Sequence, residues 1–337
     1  MTPGCMVPVP SSAASDLVRL LAAVEHTMEE SVAGIVIQPV LKRHLSGGKR
    51  LRGTLVLLPS TVSSRADCTA AVGFAAAIEL IHAGTLCHDD VVDRSDRRRG
   101  RPPLGVSVGE HGAALAGLLL MWRAFRLVAD QPDDVRTAVA RTASQVAAGQ
   151  AEEMCDCWIP VSVERYVARL EAKTSSLFEL AALLGWRAAG FGRESMTPVL
   201  KFANDVGLAF QLADDLRDLT GTADAGRVPG QDLREGVLTL PVLLAMADSK
   251  ARPNVAAALR AAHEGGHEDA ERLRTMLIRD GWLERAEAIL QRYWSVAELD
   301  LDAVEPPALR EILRGYLETV RGLGIGERPP ARLQHFA

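Results

Sequence analysis

Lysine is scarce in this chain of 337 residues. Of 38 basic residues only five are lysines, at positions 42, 49, 173, 201 and 250. The net charge of −5 gives no global field that would attract nucleic acid or anionic lipid. Aromatic residues make up only 4% of the chain, too few for the stacking platforms of single-strand binding proteins. The rare lysines are therefore either kept for specific work or left over from a base bias towards arginine.

Cysteine and long apolar runs are scarce as well. Five cysteines are an odd number in so long a chain, which argues against a disulfide framework and indicates a reducing cytoplasm. The first residues lack a cationic stretch followed by an apolar core, so they do not read as a signal peptide. No uninterrupted run of 18 apolar residues occurs, and we expect no stable membrane insertion.

Hydrophobic periodicity of the helical kind dominates what is present. Strand patterns are sparse, and no linker is long enough to divide the chain. The sequence predicts one all-α domain over residues 15–326, between a flexible N-terminal tail (1–14) and a C-terminal tail (327–337). Segments with helical character are 15–31, 70–88, 134–150, 163–185, 197–220, 238–247 and 268–293.

Two acidic clusters share one spacing. Asp89-Asp90-Val91-Val92-Asp93 and Asp214-Asp215-Leu216-Arg217-Asp218 each follow an apolar helical stretch. On a helix this spacing gathers three carboxylates into one patch, where they repel one another unless a cation binds. Mg²⁺ accepts one or two carboxylates and keeps sites for phosphate oxygens. The alternative is a solvated acidic helix face, but both clusters end strongly apolar helices, which favours the metal site.

Basic and polar residues lie near these clusters in the sequence. Gly47-Gly48 leads into a helix that begins with Lys49 and Arg52, a suitable place for a diphosphate. The other candidates are His82, Arg97–Arg101, Lys173-Thr174 and Phe210-Gln211. Taken alone, Lys173 fits a surface lysine and His82 a core histidine better than a binding residue, whereas the basic run Arg97–Arg101 fits a binding role better than a solvated loop.

One zinc-protease pattern is misleading. His263-Glu264-Gly265-Gly266-His267 matches the H-E-x-x-H motif, which requires an intact helix to place both histidines on one face. The two central glycines break a helix, so we expect no zinc site here.

The ordered series of motifs resembles the trans-isoprenyl diphosphate synthase family, which includes farnesyl, geranylgeranyl and longer polyprenyl diphosphate synthases. The resemblance runs from about Gly47 to Pro241. It implies an all-α isoprenoid-synthase bundle around a central apolar cavity, usually a homodimer. Besides the two acidic clusters, it rests on Gly-Gly-Lys49-Arg-Leu-Arg52, Glu79-Leu-Ile-His82, Arg98-Arg99-Gly100, Gly149-Gln150, Lys173-Thr174, Phe210-Gln211 and Gly230-Gln-Asp232 through Pro241.

The resemblance also implies a role for each matching residue. Magnesium, with three ions per active site, would be bound by Asp89, Asp90, Asp93, Asp214 and Asp218, supported by Asp215. The allylic diphosphate would be held by Arg98, Lys173 and Arg227, with Thr174, Phe210 and Gln211 beside it. Isopentenyl diphosphate would be held by Lys49, Arg52, His82 and Arg99. The implied reaction is ionisation of the allylic diphosphate and attack by isopentenyl diphosphate.

Several positions depart from the family pattern. Arg227 stands where the family usually has lysine, and Val237 where many members have a second lysine. Leu118 replaces a frequent aspartate, and Pro103 a usual threonine. Val237 removes one cation from the predicted site of the allylic diphosphate.

Product length in this family depends on the residues four and five positions before the first aspartate. Here these residues are Thr85 and Gly84, which are small and predict an open cavity floor. We therefore expect a product of C20 or longer, unless Met121, Trp122 and Phe125 on the next helix plug the pocket.

Two other functions compete with prenyl elongation. A cyclase of related fold would have no use for a second diphosphate site, yet Lys49, Arg52, His82 and Arg99 are all present. A non-catalytic subunit of a heteromeric synthase should have lost acids from one cluster, and neither cluster has lost any.

Overall fold

The computed structural model describes residues 11–92, 102–221 and 229–324, and within these ranges it contains helices and no strand. This confirms the predicted all-α class. The helices are α1 Ser11–Ser31, α2 Gln38–Leu45, α3 Leu51–Leu57, α4 Cys68–Val92, α5 Leu104–Leu127, α6 Asp133–Cys155, α7 Val163–Leu170, α8 Ser176–Ala188, α9 Thr197–Thr220, α10 Gln231–Glu235, α11 Leu240–Ala247, α12 Arg252–Gly265, α13 His267–Arg279, α14 Trp282–Asp300 and α15 Pro307–Gly324.

Helix α4 lies at the centre of the bundle and ends in the first acidic cluster. Its middle, Ala75–Leu80, is almost completely buried and packs against α1, α3, α5 and α8. Alanine is the best helix former and has a small side chain, so neighbouring helices can approach α4 closely. The acidic end of α4 is therefore fixed by the core.

Helix α9 is the second central helix and carries the other acidic cluster on its last turns. It packs against α8, α14 and α15, with Val199, Phe202 and Val206 buried. Both clusters are thus held by long, buried helices.

Two predicted boundaries were wrong. Helix α1 begins at Ser11, so residues 11–14 of the predicted flexible tail are helical. The segment 268–293 was predicted as one helix, but it is divided at Gly281, whose φ of +80° ends the run between α13 and α14. Residues 1–10 and 325–337, which include most of both predicted tails, lie outside the described residues.

The structure confirms that the H-E-x-x-H pattern is interrupted. Helix α12 ends at Gly265, Gly266 has a φ of +78°, and His267 begins α13. His263 instead packs against Trp158, with ring centroids 4.9 Å apart and the ring planes tilted by 45°. The two histidines lie on different helices, as the glycine pair predicted.

Helices α4 and α5 are both long and apolar enough to cross a membrane by length and composition alone. About two thirds of the apolar window of α4 is buried, as in the core helix of a bundle. Only 28% of the corresponding window of α5 is buried. Leu115, Leu118 and Trp122 are 45–67% exposed and share one face of α5. We call this exposed apolar surface the α5 apolar face.

Two neighbouring carboxyl groups, Asp205 on α9 and Asp300 on α14, give the stability of the fold a pH dependence. Burial and the nearby carboxyl group of Asp300 raise the pKa of Asp205 to about 7, although Lys201 opposes the shift. In an unfolded chain an aspartate titrates near pH ~3.9. Between these values the folded state keeps a proton that the unfolded chain has lost, so stability falls as the pH rises through this window.

We predict that Asp205→Asn removes this slope. Above pH 7 the variant should be more stable by about 1–2 kcal/mol, a figure reduced from the full pKa shift because solvent screens a half-buried pair. Urea unfolding at pH 5 and pH 8 measures the effect. Asp302→Asn, at an exposed position near the same end of α14, is the control. Equal pH slopes in wild type and Asp205→Asn would contradict the prediction.

Candidate active site

A π-helical turn joins α7 to α8 and presents Lys173 and Thr174. Residues Glu171–Ser175 form this turn, which the sequence pattern did not predict. Two glycines on flanking helices allow this turn to pack closely. A Cβ on Gly149 would lie 2.8 Å from the backbone nitrogen of Lys173, and a Cβ on Gly207 would lie 2.8 Å from Ser175 Cα. π-Turns inside α-helices occur frequently at functional sites.

Thr174 begins a chain of hydrogen bonds that ends at the second acidic cluster. Its hydroxyl donates to Gln211 Oε1 at 2.9 Å, and Gln211 Nε2 donates to Asp215 Oδ1 at 2.8 Å. Tyr166 OH donates to the other oxygen, Asp215 Oδ2, at 2.5 Å. Burial raises the pKa of Asp215 to about 6, against these hydrogen bonds, which favour the carboxylate. Both oxygens of Asp215 are engaged by protein donors, which fits its predicted supporting role.

A small cavity of about 100 Å³ lies at the end of α9. Its wall contains five carboxylates and two basic groups, and we call it the acidic cavity. It is lined by Glu153, Arg169, Lys173, Gln211, Asp214, Asp215, Asp218, Asp232 and Val237. Burial, together with Asp218 and Asp215, raises the pKa of Asp232 well above its ordinary value. Such crowding of carboxylates is stable only with protons or cations between them.

The two predicted metal ligands on α9 have local partners. Asp214 forms an ion pair with Arg217, and Asp218 accepts the backbone N–H groups of Gln231 and Asp232 at 3.2 and 3.1 Å. In the described part of the chain, no three carboxylate, imidazole or thiol groups form a cluster able to hold a metal ion. The donor set nevertheless suits a divalent cation, because oxygen ligands from several carboxylates line one small space.

Asp89 and Asp90, the described acids of the first cluster, lie on the last turn of α4. Asp90 is 5% exposed and Asp89 is half-buried. Nε2 of His88 donates to the Ala114 carbonyl at 3.1 Å and ties this end of α4 to α5. The remaining predicted residues Asp93, Arg98, Arg99 and Arg227 lie outside the described residues.

Helix α3 begins at Leu51, so of the predicted basic residues Lys49 precedes the helix and Arg52 lies in its first turn. Both meet aromatic rings from α8 and α9. The Arg52 guanidinium lies 4.6 Å from the Phe178 ring centroid, and Lys49 Nζ lies 5.8 Å from that of Phe210. The two rings are 6.1 Å apart. Burial lowers the pKa of Arg52, opposed by the negative charge of Glu79. Arg52 Nε has no hydrogen-bond partner within the described ranges, so a buried N–H remains for an anion.

Glu79 on α4 holds this basic segment in place. It accepts the Gly53 backbone N–H at 2.8 Å and pairs with Arg50, whose φ of +47° is unusual for a residue with a side chain. Arg50 also binds Glu25, and these acids outweigh the effect of burial and raise its pKa. His82, the half-buried residue one turn after Glu79, lies on the same face of α4.

The expectation of an open cavity floor at Gly84 was wrong. A Cβ on Gly84 would lie 2.8 Å from the Gly117 carbonyl oxygen and 3.1 Å from Met121 Cγ. The absence of a side chain at Gly84 lets α4 and α5 approach each other here and does not open a cavity. Thr85 is half-buried, and its hydroxyl donates to the His82 carbonyl at 2.8 Å.

Four residues of the acidic cavity and its network were missed as functional candidates. Glu153 follows Gly149-Gln150 by one helical turn, and Asp232 lies inside a quoted motif, so both had a signal. Tyr166 and Arg169 precede Lys173 by seven and four residues, a spacing that places all three on one helical face. Only the π-turn and the tertiary contacts bring that face to the cavity.

We predict that Gly149→Ala destabilises the fold by about 1–3 kcal/mol, because the added methyl group would push against the Lys173 backbone. Gly73→Ala on α4 is the matched control, since no atom lies within 4 Å of its added Cβ. That control should be neutral or stabilise by up to about 1 kcal/mol through helix propensity. Thermal unfolding of both variants tests the difference, and equal midpoints would contradict it.

Sequence comparison finds matches over most of the chain. The model of the polyprenyl synthetase family matches residues 35–277. The chain is 36% identical over 261 residues to a nonaprenyl diphosphate synthase of Mycobacterium tuberculosis, covering 76% of this chain and 77% of that protein. It is 32% identical over 317 residues to heptaprenyl diphosphate synthase component 2 of Geobacillus stearothermophilus, covering 91% and 95%.

Structural comparison agrees with these matches. A polyprenyl synthase from Caulobacter crescentus, crystallised with calcium and isoprenyl diphosphate, superposes with a TM-score of 0.82 and 31% identity. The match covers 93% of this chain and 98% of that one.

Proposed function

The chain belongs to the polyprenyl synthetase family and is a prenyltransferase, and from this premise we propose that it condenses an allylic diphosphate with isopentenyl diphosphate. The observation that carries the proposal is the acidic cavity, where carboxylates from α9 and α10 adjoin Lys173 and the Thr174–Gln211 pair. Carboxylates beside cations and hydroxyl donors are suited to a metal–diphosphate complex.

We propose that Asp89, Asp90 and Asp93 on one side, and Asp214 and Asp218 on the other, hold Mg²⁺, with three ions per active site. The crowding of carboxylates in the acidic cavity supports this assignment, as does the related structure containing calcium and isoprenyl diphosphate. When bound, magnesium would neutralise the diphosphate and make it a better leaving group.

The residues of this chain have separate tasks in the proposed reaction. Lys173, Thr174 and Gln211 bind the allylic diphosphate, so that its C–O bond breaks where the charge is compensated. Lys49 and Arg52 bind isopentenyl diphosphate beside it, and this proximity lets its double bond attack the allylic cation. A proton then leaves the new carbon chain for the released diphosphate.

The structure favours elongation over the two alternatives. A cyclase without isopentenyl diphosphate would not need the buried Arg52, which Phe178 and Glu79 hold next to the aromatic pair. A non-catalytic subunit would not need the complete acidic cavity. The similarity to a heptaprenyl synthase component keeps that alternative as an outcome of the test.

The test supplies Mg²⁺ and labelled dimethylallyl, geranyl, farnesyl or geranylgeranyl diphosphate, with and without isopentenyl diphosphate. Elongation predicts longer diphosphates only when isopentenyl diphosphate is present. Asp218→Asn should reduce that activity by about 10²–10³-fold through lost electrostatic stabilisation. Hydrocarbons or alcohols made without isopentenyl diphosphate would show a cyclase, and no turnover would indicate a subunit that requires a partner.

We further propose that the product is C20 or longer. The small side chain of Thr85 supports this length, because the resemblance gives a bulky residue at this position to synthases of short products. Helix α5 fills the space beside Gly84, and Met121 is the α5 side chain that lies against it. Met121 therefore shares in setting the upper limit on product length. The similar proteins include a geranylgeranyl and a nonaprenyl diphosphate synthase, whose products differ widely in chain length.

Thr85→Phe should shorten the product by at least one isoprene unit, because the ring would occupy the space of the growing tail. Thr69→Phe, at an exposed position on the first turn of α4, is the control and should leave product length unchanged. Chromatography of the dephosphorylated products gives the chain lengths. An unchanged distribution in Thr85→Phe would overturn this assignment of the cavity floor.

The proposed assembly is a homodimer in which a second copy covers the α5 apolar face. Leu115, Leu118 and Trp122 are exposed on one face of α5, and exposed apolar patches mark interaction sites. A two-fold axis through this face would pair equivalent α5 helices and bury the patch against its own copy.

Leu115→Glu should convert the dimer to a monomer, because a charge at the centre of an apolar interface is costly to bury. Leu299→Glu is a matched control, since both leucines are 67% exposed and Leu299 lies on α14. Sedimentation velocity measures the change. A wild type that is monomeric, or that floats with lipid vesicles, would contradict the proposed occupant of this face.

A further inference from the structure

Arg169 is a buried cation in the wall of the acidic cavity with an unused donor. Its side chain is 3% exposed, and Nε has no hydrogen-bond partner among the residues described. A buried N–H without a partner costs free energy, so its presence beside a ligand site calls for an acceptor. Glu153 Oε2 lies 3.9 Å from this Nε.

Glu153 stands between two cations. Its Oε1 accepts from Lys173 Nζ at 2.5 Å, while its Oε2 faces Arg169 Nε beyond hydrogen-bonding distance. Glu153 is only 14% exposed, so its charge needs a partner at all times. Lys173 provides that partner in this structure.

Arg169 is held firmly enough to act as a fixed partner. Its Nη1 donates to Asp156 Oδ2 at 3.3 Å, and its guanidinium carbon lies 5.6 Å from the Tyr166 ring centroid. Asp156 is itself fixed by Arg165, which donates to both of its oxygens at 3.1 and 2.8 Å. The Arg169 guanidinium can therefore form a hydrogen bond with the Glu153 carboxylate while Asp156 and Arg165 stay in place.

We infer that Arg169 is a positioning residue: it takes over Glu153 when Lys173 turns to the substrate diphosphate. This inference rests on the proposed function, in which Lys173 binds the allylic diphosphate. A shift of about 1 Å in the carboxylate would bring Glu153 within hydrogen-bonding distance of Arg169 Nε. The exchange leaves no buried carboxylate unpaired at either stage.

Val237 stands where many members of the family have a lysine, so the exchange of Glu153 between Lys173 and Arg169 is important in this chain. Val237 lines the same cavity and cannot pair with an acid or a phosphate. Among the described residues that line the cavity, Arg169 and Lys173 carry the positive charge. Without Arg169, Lys173 would have to remain on Glu153 or leave that carboxylate uncompensated.

A double-mutant cycle tests the inference with Arg169→Met, Glu153→Gln and the double variant. Arg169→Met should raise the KM for the allylic diphosphate by at least about tenfold, with little change in the KM for isopentenyl diphosphate. In the Glu153→Gln background the same change should have almost no effect, because no charge remains to be taken over. Arg169→Lys should recover part of the loss.

A second readout does not depend on turnover. Inorganic diphosphate with Mg²⁺ should raise the unfolding temperature of the wild type by mass action, and Arg169→Met should reduce that shift. Arg165→Met, which removes the other partner of Asp156 from an exposed position, is the control and should keep the full shift. If Arg169→Met and Arg165→Met both reduce the shift, the network has a merely structural role and the inference is overturned.

The outcomes separate this inference from the proposed function. A wild type that does not elongate prenyl diphosphates refutes the function, while the diphosphate-induced shift still tests Arg169. If the wild type is active and Arg169→Met is equally harmful in the wild-type and the Glu153→Gln backgrounds, Arg169 acts on the diphosphate directly, and the inference is overturned. Unchanged kinetics in Arg169→Met would overturn it as well.

Discussion

Repulsion among carboxylates in a confined space is the constraint that organises this molecule. Glu153, Asp214, Asp215, Asp218 and Asp232 line one cavity of about 100 Å³. Their charge cannot stay uncompensated there: burial, together with the neighbouring carboxylates, raises the pKa values of Asp215 and Asp232. A site that compensates this charge with cations also attracts a diphosphate, since the same cations serve both.

The rest of the fold supplies rigidity to this unfavourable arrangement. Buried apolar faces of α4 and α9 fix the acidic clusters, and hydrogen bonds from Tyr166 and Gln211 fix Asp215. The π-turn at Lys173 depends on the absence of side chains at Gly149 and Gly207. Removing any of these supports would let the carboxylates relax apart, and the concentration of charge that binds the ligand would be lost.

The parts of the site that have a local signature could be predicted from the sequence. The acidic clusters were visible because their spacing repeats and follows apolar helices, and Lys173, Thr174 and Gln211 came with the family resemblance. The role of Gly84 was misread, because a small residue facing a cavity and a small residue at a helix contact look identical in one dimension. Arg169 and Tyr166 were missed because only the π-turn and long-range contacts place them beside Glu153 and Asp215.

The acidic cavity is proposed to bind a diphosphate through divalent cations, which calorimetric titration of inorganic diphosphate into the protein can measure with Mg²⁺ and then with EDTA. We predict clear binding with Mg²⁺ and an affinity lower by about two orders of magnitude in EDTA, because unpaired buried charges cost several kcal/mol. Equal affinity in both conditions would contradict this proposal.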